Sequence, residues 1–275
     1  MQTVAICGVG LIGGSFALAL RKAGFPGTIV GVSSERTIAE ATTLGVIDRG
    51  VSLEEAAQTA DLLYLAQPIL QILEVIPKLG PILGKQALVT DAGSTKAQIV
   101  AAMQQNLPEG QFVGGHPMAG KESRGVAAAD AGLFRNRTYV LTPVGAFEHE
   151  LQHWLTKIGA NIQVMGAADH DRAVAYTSHL TQLVATALAG TVGAGLPGDE
   201  LRVSGPGLID MTRLALSDYG IWRDILATNR EPVDAALREM IERLEQMKAN
   251  LGDNSEAFAA GSALRRRLVS TVLLR

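Results

Sequence analysis

The chain has 275 residues, 47% apolar and 19% charged, with a formal charge of −3. That composition supplies a sizeable buried core and excludes a disordered chain, and the near balance of charge offers no basic field to nucleic acid or to an anionic membrane. The single cysteine, Cys7, permits neither an internal disulfide nor a cysteine-based metal cluster and fits a reducing cytoplasm.

The chain begins without a basic segment ahead of an apolar run, so no signal peptide is expected. In its first half, short apolar runs alternate with amphipathic stretches. Residues 4–7, 28–32, 62–66, 87–90 and 112–114 are predicted strands. Residues 11–23, 35–44, 69–79 and 97–105 are predicted helices, the third closing near Pro77. This alternation predicts a parallel sheet built from βαβ units. Two further strands, at 139–142 and 162–164, are expected to extend the sheet around a helix at 148–158.

Beyond Met165 the strand signals stop. Asp169 is expected to cap a long helix over 172–191. The longest stretch without Asp, Glu, Lys or Arg, 173–198, carries Ser178, His179, Gln182 and Pro197 and is too polar for a membrane span. Further helices are expected from near Asp210, over 232–251, and from 255 to the end of the chain. Leu237, Met240, Leu244, Met247 and Leu251 form an apolar stripe on the second of these, opposite Glu239, Arg243, Glu245 and Lys248. With the apolar 268–274 segment, that stripe needs more cover than the helical half supplies and predicts a homodimer. Arg265, Arg266 and Arg267 read as a solvated helix end.

The strongest local motif is GVGLIGGS at 8–15, which follows a predicted strand and opens a helix, the setting of a dinucleotide fingerprint. Gly8 permits the tight turn, Gly10 lets backbone approach a pyrophosphate, and Gly13 lets helix and strand pack closely. Leu11 and Ile12 open the helix whose free N–H groups would receive the phosphates. Gln67 and Pro68, following the strand at 62–66, are assigned to the same cofactor site. An NAD site would place an acid at the end of the second strand, but that position holds Ser33. Ser33, Ser34 and Arg36 would instead suit a 2′-phosphate, so NADP is expected over NAD, with Glu35 the nearby acid. Ser34 would equally serve as a helix cap.

The fold class is therefore an α/β Rossmann-type nucleotide-binding domain over 1–165, followed by an all-helical domain over 166–275. Ligands of such sheets bind at the carboxyl ends of the strands. Two loops belong there, DAGSTK at 91–96 and GGHPMAG at 114–120. His116 sits among glycines and a proline and is the first candidate for a general base. Ser94 would either orient it or cap the following helix. His149 and His153 read as solvated and His170 as a helix-start residue. In the helical half, His179 and Gln182 share one helix face, and Asp210 would pair with Arg213 one turn later to aim its guanidinium at a carboxylate. No metal-ligand spacing is present.

Together GVGLIGGS, DAGSTK, GGHPMAG, DHDRAVAYTSHL at 169–180 and DMTRLALSDYGIWRDILATNR at 210–230 resemble the prephenate and arogenate dehydrogenase family of tyrosine biosynthesis, over almost the whole chain. The resemblance implies a nucleotide-binding domain joined to a helical dimerisation domain, and oxidative decarboxylation of a cyclohexadiene with hydride transfer to NADP. It implies that His116 polarises the ring C4 hydroxyl with help from Ser94, and that Arg213 binds the ring carboxylate. His179 and Gln182 would line the substrate side, with Trp222 near the pocket or the dimer seam. Two positions depart from the family pattern: Gln182 stands where prephenate-preferring members often have histidine, and Ile209 where a basic residue often precedes the aspartate. A neutral Gln182, both donor and acceptor, predicts that arogenate serves at least as well as prephenate. No chorismate mutase segment or ACT-type regulatory domain is visible in these residues. A β-hydroxyacid dehydrogenase is the enzymatic alternative, opposed by the lack of any lysine between Arg172 and Arg230. A non-catalytic NADP-binding module would need neither His116 nor Arg213.

Overall fold

A computed structural model describes residues 1–145 and 150–273. The α/β half runs β1 (Thr3–Cys7), α1 (Leu11–Lys22), β2 (Thr28–Val32), α2 (Glu35–Thr43), β3 (Arg49–Gly50), α3 (Leu53–Thr59), β4 (Leu62–Leu65), α4 (Ile69–Leu79), β5 (Leu88–Asp91), α5 (Ala97–Asn106), β6 (Phe112–Pro117), β7 (Thr138–Pro143), α6 (Glu150–Lys157) and β8 (Asn161–Val164). The strands form one sheet in the order β3-β2-β1-β4-β5-β6-β7-β8. Pairing is parallel from β3 through to β6, antiparallel between β6 and β7, and parallel again between β7 and β8.

The central strands are apolar on both faces because helices cover both faces. Val4 and Ile6 of β1, Tyr64 of β4 and Phe16 of α1 lie in one core layer, where the Phe16 and Tyr64 rings stack with centroids 4.0 Å apart. Such a pair adds about 0.5–1.5 kcal/mol beyond the area it buries. Ala5, Cys7, Leu63 and Leu65 face the opposite layer, against Ile72 and Ile76 of α4. Burial pushes the Cys7 thiol up to about 12, so it is inert as a nucleophile at neutral pH.

Sequence periodicity passes over β3 and α3. Both residues of β3 are exposed, and α3 carries a capping signal in the Ser52 hydroxyl, which accepts from the Glu55 N–H at 3.1 Å. Helix α4 spans Ile69–Leu79, as expected, with Pro77 in its last turn. The helix expected at 148–158 is described from Glu150 onward; residue 148 and His149 lie outside the described residues. His153 is exposed, as expected.

The helical half comprises α7 (Ala167–Val174), a π turn at Ala175–His179, α8 (Leu180–Gly195), α9 (Pro206–Thr212), a 3₁₀ turn at Arg213–Leu216, α10 (Tyr219–Thr228), α11 (Arg230–Ala249) and α12 (Ser255–Leu268). Three expectations change here. The N-cap of the long helical run is Gly166, not Asp169, which instead occupies the first turn, where an acid favours the helix dipole. The run expected over 172–191 reaches from 167 to 195 and is broken by the π turn. The helix expected near Asp210 starts at Pro206, where a missing N–H costs nothing.

The two halves share buried contacts. Trp222 and Ile225 of α10 pack on the apolar layer of α4, and the Thr95 and Thr228 hydroxyls hydrogen-bond at 2.8 Å. Along the α11 stripe Leu237, Met240 and Met247 are half-buried, while Leu244 and, just past the helix, Leu251 are exposed. Phe258, Leu264 and Leu268 of α12 are exposed as well; residue 274 of the apolar terminal segment lies outside the described residues. Among the described residues no helix is long and apolar enough to cross a membrane.

Candidate active site

The glycine fingerprint builds the first wall. Gly8 turns at φ +94°, and a Cβ there would meet the backbone between Ala66 and Gln67 at 2.8 Å. A Cβ on Gly13 would overlap the Gly8 carbonyl oxygen, so α1 packs against its strand only without one. A Cβ on Gly10, in contrast, would meet no protein atom within 4 Å: the space it would fill is cleft. Gly10 is also the N-cap of α1 and supplies no side-chain cap, so the first N–H groups, including those of Leu11 and Ile12, stay available to an anion. The cleft encloses about 380 Å³ and is walled by Gly8, Gly10, Ser33, Ser34, Gln67 and Pro68, six of the residues expected at the cofactor site. The Gln67 side-chain oxygen is buried there without a partner. An open helix terminus, an unfilled glycine and an orphaned polar atom fit a dinucleotide pyrophosphate.

The adenosine end differs from expectation. Thr37, Glu40 and Gln71 also line the cleft, and Arg36 does not. Thr37 and Glu40, three residues apart on α2, line the cleft, whereas Arg36 on the first turn of the helix is exposed and outside the lining. Ser34 both lines the cleft and caps α2, accepting from the Thr37 N–H at 3.4 Å.

The second cluster gathers around His116. Strand β6 runs past residue 114, where sequence reading ends it, so His116 lies within the strand opposite Val140 of β7 rather than in a loop. Side chains on the two preceding glycines would overlap the Thr142 hydroxyl and the Asp91 carbonyl oxygen, which is why this stretch is Gly114-Gly115. The imidazole is 8% exposed. Its Nδ1 lies 2.8 Å from His170 Nε2, and His170 Nδ1 lies 2.8 Å from Asp171 Oδ1. Burial, then His170, Lys96 and His179, hold the His116 pKa well below 6.5. Below the strand the fully buried Lys96 ammonium pairs with Asp91, whose carboxylate also accepts from the Gly93 and Gly115 N–H groups. Burial pulls the lysine pKa down and Asp91 pulls it back up.

Ser94 does not cap α5. The Lys96 and Ala97 N–H groups at that terminus donate to the Asp171 carboxylate at 2.7 and 2.8 Å, and the Ser94 hydroxyl has no side-chain or backbone partner among the described residues. His170 is in the first turn of its helix, as expected, but is 1% exposed and part of this cluster. Sequence reasoning passed over His170 and Asp171, although the adjacent pair stands inside the motif at 169–180.

On the helical side, His179 ends the π turn, buried, with its Nδ1 3.1 Å from Asn229 Nδ2 and its ring edge-on to Trp222 at 5.9 Å. Burial brings its pKa down to about 4, so it is neutral at pH 7. Gln182 is also buried, its Nε2 donating to the Leu214 carbonyl. The expected Asp210–Arg213 ion pair is not formed: both side chains are exposed, because α9 gives way to the 3₁₀ turn at Arg213.

The fold and these two clusters define a dinucleotide-binding α/β domain that carries a helical domain, with a buried histidine at the sheet's carboxyl rim. Residues 16–167 match the family model "Prephenate dehydrogenase, nucleotide-binding domain", and residues 166–261 match "Prephenate dehydrogenase, dimerization domain". The chain belongs to the prephenate dehydrogenase family. It is 35% identical to a prephenate dehydrogenase of Lactococcus lactis over 92% of this chain and 70% of that protein. The structure of prephenate dehydrogenase from Aquifex aeolicus, in complex with hydroxyphenyl propionate and NAD+, superposes with a TM-score of 0.88 at 32% identity, covering 98% of both chains. Arogenate dehydrogenase from Synechocystis gives a TM-score of 0.81 at 29% identity, again over 98% of each chain.

Proposed function

We propose that this protein is a cyclohexadienyl dehydrogenase of tyrosine biosynthesis, oxidatively decarboxylating prephenate, arogenate or both. The observation that carries this reading is His116: a buried, neutral imidazole with Nδ1 engaged, so that Nε2 is the ring nitrogen left for a substrate hydroxyl. A pyridine nucleotide bound along Gly8, Gly10 and Gly13 would supply the hydride acceptor. His116 takes the proton of the ring C4 hydroxyl as hydride leaves C4. The ring carboxylate then departs as CO₂, its bonding pair restoring aromaticity. The resulting gain means that the protein mainly needs to place and orient the groups. Ser94, half-buried and with a free hydroxyl, is assigned to the substrate oxygen beside His116. Exposed Arg213 is assigned to the ring carboxylate, and His179, Gln182 and Trp222 to the substrate-side wall. A β-hydroxyacid dehydrogenase would need a lysine in this helical region, which has none from 172 to 230.

The cofactor is assigned as NADP in preference to NAD. The support is Ser33 in place of an acid at the end of β2, with the Ser34 and Thr37 hydroxyls beside it in the cleft. Arg36, on the same first turn of α2, would reach a 2′-phosphate from the exposed side. The domain division at 165 and a homodimer through the helical half belong to the same reading. The matched dimerisation-domain description supports the dimer, as does the exposure of Leu244 at 51%, Leu251 at 80% and Phe258 at 69%. A cytoplasmic setting agrees with the one buried thiol. Absorbance assays pairing prephenate or arogenate with NAD or NADP test the function directly: reduction of nicotinamide is expected with a cyclohexadiene, and silence in all four combinations overturns it. Light scattering that finds a monomer at micromolar concentration would remove the dimer.

A further inference from the structure

His170 and Asp171, neighbours on the first turns of α7, are 1% and 2% exposed; His170 touches the β6 histidine from outside the cofactor cleft, and Asp171 touches His170. The hydrogen-bond directions in this cluster are settled from its far end. The Asp171 carboxylate receives the Lys96 N–H on Oδ1 and the Ala97 N–H on Oδ2, at the N-terminus of α5. An ionised carboxylate only accepts, so the 2.8 Å contact to His170 Nδ1 requires the hydrogen on that nitrogen. A neutral imidazole carries one N–H, which leaves His170 Nε2 as a lone pair. The contact between His170 Nε2 and His116 Nδ1 therefore requires the hydrogen on His116 Nδ1. That leaves His116 Nε2 bare. A doubly protonated His170 would reverse the last step, but its imidazolium would be buried at 1% exposure against a carboxylate already shared with two backbone donors. His179, the other titratable group near His116, is neutral.

We propose that Asp171 and His170 are positioning residues that hold His116 in its Nδ1–H tautomer, with Nε2 as the proton-accepting atom. The proposal rests on the assignment of His116 as the base. Once His116 has taken the hydroxyl proton, its Nδ1–H still donates to His170, and the Asp171 charge lies one ring further on to offset the imidazolium. The opposite tautomer would point an N–H at the substrate hydroxyl and could not take its proton. The α5 terminus is part of the device, because its two N–H groups keep Asp171 an acceptor.

The decisive experiment is nitrogen NMR of the full-length protein labelled with ¹⁵N-histidine, without substrate. The wild type is expected to show His116 protonated at Nδ1 and bare at Nε2; a hydrogen on Nε2 overturns the proposal. In His170→Phe, which removes the acceptor, the Nε2–H form is expected to appear. Its kcat should fall about 10–100-fold, the loss usual when an imidazole's outer partner is removed, with KM and cofactor affinity within about twofold of wild type. His170→Gln, whose side-chain oxygen can accept from Nδ1–H, should recover most of that loss. Unchanged kcat and an unchanged tautomer in His170→Phe would overturn the proposal. If His170→Phe does not fold, the wild-type spectrum decides by itself. A wild type with no dehydrogenase activity would end the functional reading, and the spectrum would still decide the tautomer.

Discussion

Gln182 Nε2 donates to the Leu214 carbonyl oxygen at 2.8 Å and to the Thr186 hydroxyl at 3.2 Å, which ties α8 to the turn that begins at Arg213. With both contacts made by the nitrogen, the amide has its oxygen left to offer. A carbonyl oxygen suits the ammonium of arogenate better than the keto oxygen of prephenate. Arogenate is therefore expected to be used at least as well as prephenate, with kcat/KM values within about 1–3 kcal/mol of each other, the range one polar contact commands. Gln182→His should move the ratio toward prephenate. Efficient turnover of prephenate with none of arogenate would sink this expectation.

For His116→Asn, kcat is expected to fall roughly 10²–10⁴-fold while cofactor affinity holds, as for the loss of a general base. The direction of its pKa shift adds a pH signature. The base works only when unprotonated, and burial with its cationic and imidazole neighbours keeps it so well below pH 6.5. The acidic limb of the wild-type kcat/KM profile should accordingly lie below 6.5, with activity flat from there to neutrality. A limb at 7 or higher would detach His116 from the proton transfer.

Ser33 stands where an acid would receive a ribose 2′-hydroxyl. Ser33→Asp should weaken NADP through repulsion of the 2′-phosphate and improve NAD, read as crossed changes in the two KM values. Wild-type enzyme that turns over faster with NAD at low cofactor concentration would reverse the assignment.

Arg213 is exposed and makes no ion pair among the described residues, so its guanidinium is free for a ligand. Arg213→Ala is expected to act mainly on KM, since a charge-assisted contact to a carboxylate contributes about 1.5–3 kcal/mol. An unaltered KM would identify a different carboxylate binder.

What the sequence discloses follows the reach of each interaction. The central strands are legible because both faces are covered, which writes them as unbroken apolar runs such as Val4-Ala5-Ile6-Cys7. The glycine wall is legible because backbone geometry alone demands it. Strand β3 escapes notice because Arg49 and Gly50 are exposed and carry no apolar pattern. The face that α2 turns to the cleft is set by packing of Ile38 and the buried Ala41, so Arg36 looked like a wall residue and Thr37 and Glu40 did not. The π turn slips an alanine-rich helix by one residue, too little to disturb its periodicity. His170 reads only as a helix-start residue, because its place in the cluster is made by the meeting of α7 with β6.

The capping of α5 by Asp171 bears on how such chains can be recombined. Lys96 and Ala97 obtain their acceptors from a residue about 75 positions later, in the other half of the molecule. A chimera joined at the domain boundary would take α5 from one parent and its cap from another. Backbone donors tolerate no substitute geometry, so such hybrids should function only when both parents present the carboxylate at the same height on the helix. The two halves are not interchangeable cassettes: inheritance across that junction is constrained by a carboxylate that neither parent's nucleotide-binding half encodes.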